Sequence, residues 1–66
     1  MNMNNRLKEI RMREYMMNPK EFSKLIEVNL KTYYAWENGT SIPSMKKGLK
    51  IAEKLNKRLD DIWYLK

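Results

Sequence analysis

Three residues, Glu27-Val28-Asn29, are all that separates two stretches of helical patterning, and no other feature constrains the fold as much. A connection that short is a tight turn, so the two helices it joins are neighbours in space. The first of them begins at Asn18-Pro19-Lys20-Glu21. There Asn accepts from orphan amides, Pro supplies the preset φ of the first helical position, and Glu stands three residues after the cap. Beyond it Phe22, Leu25 and Ile26 face inward. The second helix is capped by Asn29 and runs through Lys31, Tyr33, Tyr34 and Trp36 to Glu37 or Asn38, where Gly39 is the expected left-handed stop.

The rest of the chain reads the same way. Asn4 or Asn5 caps a first helix in which Leu7, Ile10 and Arg11 share a face, running to about Tyr15 or Met16. After Gly39 a loop, Thr40-Ser41-Ile42-Pro43-Ser44, leads to a fourth helix with Met45, Leu49, Ala52 and Leu55 on one face and Asn56 closing it in the left-handed conformation. Leu59-Asp60-Asp61-Ile62-Trp63 reads as a short fifth helix, its acids in the first turn where the dipole favours them. Strand-type alternation is sustained nowhere, and the methionines and Trp36 are expected as core. The expected fold is all-α, a compact five-helix domain over residues 1–66, with Ile62-Trp63-Tyr64-Leu65 either folding onto the first helix or supplying a dimer surface.

With 66 residues there is little room for an enclosed active site, and cysteine and histidine are both absent. That removes the thiol nucleophile, the thiolate and imidazole metal ligands, and the usual acid–base side chain. No metal, cofactor or small-molecule ligand is expected, and no enzyme. The polar Asn-rich start lacks the apolar run of a secretory signal, and no apolar stretch approaches a membrane span, so a cytoplasmic protein is expected. A net charge of +6 favours a polyanionic partner, although charge alone does not separate nucleic acid from a solvated lysine face.

Two short helices across a tight turn, the second polar on one side, form a unit whose second helix can lie in a DNA major groove. The chain resembles the lambda-repressor-like, Cro-type (XRE) helix-turn-helix family from Asn5 to Trp63. The resemblance rests on Asn5-Arg6-Leu7-Lys8-Glu9-Ile10-Arg11, Phe22-Ser23-x-Leu25-Ile26-x-Val28, Tyr33-x-x-Trp36-Glu37-Asn38-Gly39, Pro43-Ser44-Met45 with Leu49-Lys50-Ile51-Ala52, and the Leu59–Trp63 ending. Their order and spacing carry the match.

The resemblance implies a transcriptional regulator that binds double-stranded DNA as a homodimer, whether formed beforehand or only on DNA; repression is expected over activation because a chain this small leaves little surface for recruiting polymerase. It implies base reading by Asn29, Leu30, Lys31, Thr32, Tyr34 and Ala35 in the third helix, with Tyr33 turned inward. Backbone contacts are expected from Asn18 and Lys20, and from Asn38, Thr40, Ser41, Ser44, Lys46 and Lys47. It also implies a structural ion pair of Arg11 with Glu37, a small buried Ser23, and core roles for Val28 and Tyr33. The chain departs from the family pattern at four places. Pro19 stands where glutamine is common, and Glu27 where glycine is common. Gly48 stands where an apolar side chain is usual, and the connection after Arg11 is one residue longer. A helical module that uses the same surface against protein, as an antirepressor or antitoxin-like partner does, is the rival reading, favoured by Leu30 and Tyr34.

Overall fold

A computed structural model describes residues 2–66. Its elements, in order, are strand β1 (Met3–Asn5), helix α1 (Leu7–Ile10) continuing into a π-helical turn (Arg11–Tyr15), α2 (Pro19–Leu25), α3 (Leu30–Glu37), α4 (Met45–Lys54), α5 (Leu59–Ile62) and strand β2 (Trp63–Leu65). The fold is all-α apart from this small sheet, and α2 and α3 are the two helices across the short turn.

The helix starts follow from their caps. The Asn18 side chain accepts from the Glu21 amide at 2.8 Å while the Glu21 carboxylate accepts from the Asn18 amide at 2.9 Å, a closed capping box. Asn29 and Ser44 cap α3 and α4 by accepting from the Thr32 and Lys47 amides. At α1 the expected asparagine cap is corrected: the cap position is Arg6, which makes no side-chain cap bond, while Asn5 at the end of β1 accepts from the Leu7 amide with its side-chain oxygen and donates its side-chain amide to the Trp36 carbonyl at 2.8 Å.

Three helices end in the same way. Glu27, Gly39 and Asn56 each adopt positive φ one residue past the cap. The next amide in each case (Val28, Thr40 or Lys57) reaches back to the carbonyl of Ser23, Ala35 or Ala52. This is the Schellman closure, natural for glycine and tolerated by asparagine. Glu27, at φ 61°, pays about 1 kcal/mol for the same geometry.

After Ile10 the chain widens into the π turn, in which the Met16 amide bonds the Arg11 carbonyl, and Met16 then leaves in the left-handed conformation at φ 51°. Leu7, Ile10 and Arg11 are all buried.

The core is Leu7, Ile10, Phe22, Ile26, Tyr33, Trp36, Ile51, Ala52, Leu55, Ile62 and Trp63, with Val28 and Leu25 packed against it. Phe22 meets Tyr33 edge-on at 5.6 Å and Trp36 meets Trp63 edge-on at 6.4 Å. Three expectations are corrected here. Met45 and Leu49 are 72% and 50% exposed, and α4 instead buries Gly48, Ile51, Ala52 and Leu55. Glycine 48 allows this, because a Cβ there would lie only 3.2 Å from Leu59 Cδ1 and 3.9 Å from Trp63 Cζ3; the helix rolls its bare side inward. Nor are the methionines core: Met3, Met12, Met16 and Met45 are exposed and only Met17 packs on the core, while Met1 lies outside the described residues. The third correction concerns the last segment. Trp63–Leu65 pairs antiparallel with Met3–Asn5, Asn4 facing Tyr64, so it folds onto the strand before α1.

Candidate nucleic-acid interface

Helix α3 is divided lengthwise. Tyr33 and Trp36 are buried, whereas Lys31 and Tyr34 are exposed and Leu30, Thr32 and Ala35 are partly so. Adjacent helical residues face about 100° apart, which sends Tyr33 into the core and leaves Tyr34 43% exposed. Asn29 is exposed at the cap, its oxygen occupied by the Thr32 amide, which leaves its side-chain amide free to donate.

Both ends of α3 are tied down. At its carboxyl end the Ala35 carbonyl accepts from the Thr40 hydroxyl at 3.0 Å and from the Thr40 and Ser41 amides, so the loop to α4 is fastened to the helix. In the turn before its amino end, three residues ahead of Leu30, Lys47 of α4 donates to the Glu27 carbonyl at 3.1 Å, while Asn29 caps the helix itself. These bonds hold Thr40 and Ser41 against the end of α3, and the first turn of α4 against the turn that precedes α3. Asn38, Ser44 and Lys46 are exposed on that same stretch of chain, with the Ser44 hydroxyl spent on its cap. Asn18 and Lys20 are exposed at the start of α2, but no side-chain hydrogen bond or ion pair among the described residues joins them to α3 or the loop. Lys20, Lys24, Lys31, Lys46 and Lys50 are exposed and take part in no ion pair among the described residues.

Beneath the surface lies a polar knot. Arg11 Nε is 3.2 Å from both the Glu37 carboxylate and the Tyr33 hydroxyl, and Arg11 Nη1 donates to the Met17 carbonyl at 3.0 Å. Tyr33 donates in turn to Glu37. Burial pulls the Arg11 guanidinium down, but the hydrogen bonds to Tyr33 and Glu37 and the Glu37 charge outweigh it and hold the group above its usual range. Burial, reinforced by the bond to Glu37, pushes the Tyr33 phenol well above its ordinary value. Arg11 therefore stays charged and Tyr33 neutral at pH 7, and the knot joins the π turn and the chain just after it to α3. Tyr33 as its third member was not anticipated, although its position four residues before Glu37 puts both on one face of α3.

Two short helices across a tight turn, with Ser23 and Tyr33 buried, Val28 packed against the core and the outer face of the second helix open, define a helix-turn-helix domain. The sequence model of the helix-turn-helix family matches residues 7–62, and the chain belongs to that family, the lambda-repressor-like class of DNA-binding regulators, typically without enzymatic activity. No curated protein matches the chain. Among the described residues no helix is long and apolar enough to cross a membrane.

Proposed function

We propose that this chain is a non-enzymatic transcriptional repressor that acts in the cytoplasm as a single domain of residues 1–66, binding a short palindromic operator as a homodimer. The observation that carries this reading is the divided α3: an outward row of donors and methyl groups on a helix fastened at its carboxyl end to the following loop and capped by Asn29 at its start. Lys31 suits guanine O6 and N7, Thr32 offers a hydroxyl or methyl, Leu30 and Ala35 suit a thymine methyl, and Asn29 and Tyr34 donate at the edges of the row. Lys46 supplies salt-sensitive attraction to phosphate, with Asn38, Thr40, Ser41 and Ser44 beside it and Asn18 and Lys20 at the start of α2.

Dimerisation is supported by a groove of about 510 Å³ lined by Met3, Ile42, Pro43, Met45, Leu59 and Trp63. Its rim carries Arg58 and Asp60, which pair with each other at 3.5 Å within the chain, so the support for a second copy rests on the apolar lining.

The test is selection of bound sequences from a random duplex library with the purified protein at physiological salt. Recovery of two related half-sites supports a dimeric sequence reader. No enrichment by the folded protein overturns this reading in favour of a protein-facing module built on the same surface.

A further inference from the structure

We propose that Lys47 is a positioning residue of the DNA-reading unit: from α4 it holds the left-handed turn residue Glu27, and through it the angle at which α3 leaves α2. This rests on the reading of α3 as the DNA-contacting helix.

The observations come from comparing the three helix ends that close alike. At Gly39 and Asn56 the left-handed residue suits its conformation. At Glu27 it does not, and this is the one of the three that lies between α2 and α3. It is also the one whose carbonyl receives a side-chain donor from another helix, the Lys47 ammonium at 3.1 Å. A second lysine two helical turns along the same face, Lys54, brings its ammonium within 3.9 Å of the Glu27 carboxylate. Helix α4 thus reaches both the backbone and the side chain of the strained residue. The Lys54 contact is open to solvent and weak. The Lys47 bond is also solvent-exposed, but it is shorter, charge-assisted, and made to a main-chain oxygen that the helix closure leaves free.

The φ and ψ of Glu27 set the direction of every residue in α3, so a turn free to relax displaces Lys31 and Thr32 together. A misplacement of an ångström costs base readout far more than it costs attraction to phosphate, which tolerates sliding. The Lys47 ammonium is therefore engaged within the chain, in contrast to its neighbour Lys46, which is exposed and takes part in no ion pair among the described residues.

The experiment compares Lys47→Met, Lys47→Arg and Lys46→Ala across a salt series, using the duplex recovered by selection and a scrambled duplex of equal length. Lys47→Met keeps the apolar stem and removes the donor. It is expected to weaken specific binding about 5–10-fold, leave scrambled binding within twofold, and leave the salt slope unchanged. Lys47→Arg restores binding, and in a Glu27→Gly background the effect of Lys47→Met falls below twofold, because glycine needs no support. Amide hydrogen exchange gives a readout independent of DNA: Glu27 and Val28 are expected to exchange several-fold faster in Lys47→Met, with Gly39 and Thr40 unchanged. Equal loss on both duplexes with a slope lower by about one makes Lys47 a phosphate contact and overturns the proposal. Unchanged exchange at Glu27 and Val28 overturns it as well. Failure of the selection to yield any motif overturns the DNA-reading function instead, and leaves the exchange result to decide whether Lys47 holds the turn.

Discussion

Arg11 Nε sits 3.2 Å from the Glu37 carboxylate, with side chains only 9% and 12% exposed. A pair so withdrawn from water does little net work while intact, but removing one member strands the other charge. Glu37→Ala is expected to cost about 3–5 kcal/mol in urea denaturation. Replacing both residues by methionine costs less than either single change. The exposed pair Arg13 with Glu9, at the same 3.2 Å, is the control, and Glu9→Ala is expected to cost no more than about 0.5 kcal/mol. Equal losses from Glu37→Ala and Glu9→Ala contradict the buried role of the first.

Tyr33 makes the same knot sensitive to alkali. Its phenol titrates higher in the folded chain than in the unfolded one, where it follows the ordinary value of 10.0. A raised folded value means that the stabilisation is whole below pH 10 and is lost as pH rises beyond it toward the folded value. The melting temperature of the wild type is therefore expected to fall above pH 10, with Tyr33 contributing up to about 1.4 kcal/mol per pH unit. Tyr33→Phe is less stable at pH 7 by about 1 kcal/mol and shows a shallower alkaline fall. An identical slope in both proteins removes Tyr33 from the account.

Gly48 gives the packing test. Alanine there gains helix propensity of about 1 kcal/mol, against a contact at 3.2 Å with Leu59 Cδ1, the end of a partly buried side chain that can yield. Gly48→Ala is expected to raise stability by about 0.5 kcal/mol, whereas Gly48→Val, whose branches reach Pro43 and Trp63, lowers it by about 2 kcal/mol. Thermal melts of the two variants moving in the same direction refute this account of why α4 turns its glycine inward.

What could be read from the sequence was what local chemistry decides. Asn18, Asn29 and Ser44 cap because a short side-chain oxygen finds an amide three residues on, and Gly39 and Asn56 stop helices because they accept positive φ. The inward face of α4 was misread because Met45 and Leu49 form an apolar stripe beside the true one, and only the approach of Leu59 and Trp63 to Gly48 chooses between them. The sheet of Met3–Asn5 with Trp63–Leu65 escaped for a similar reason: three-residue strands carry no usable alternation, and the pairing joins the two ends of the chain. On α3, which tyrosine turns inward was legible from the helical period, Tyr33 in and Tyr34 out. Which lysine bonds the turn was not, since Lys47 and Glu27 are 20 residues apart and nothing in either neighbourhood announces the bond.

Base reading and phosphate gripping separate by their response to salt. Lys31 and Thr32 stand on the outer side of α3, directly after its cap, and Lys46 stands in the first turn of α4 beside the loop fastened to α3. A residue that reads a base edge adds affinity only where the right base is present, about 1–3 kcal/mol for a good contact. A residue on phosphate adds affinity everywhere and releases a counterion when it binds. Thr32→Ala and Lys31→Ala are therefore expected to weaken binding to the selected duplex about tenfold while leaving a scrambled duplex nearly untouched. Lys46→Ala weakens both and lowers the salt slope by about one. Lys31 is the demanding case, because its charge alone attracts phosphate; if its alanine variant loses equal affinity on both duplexes together with a unit of slope, it belongs with Lys46, and sequence reading falls to Thr32 and its uncharged neighbours.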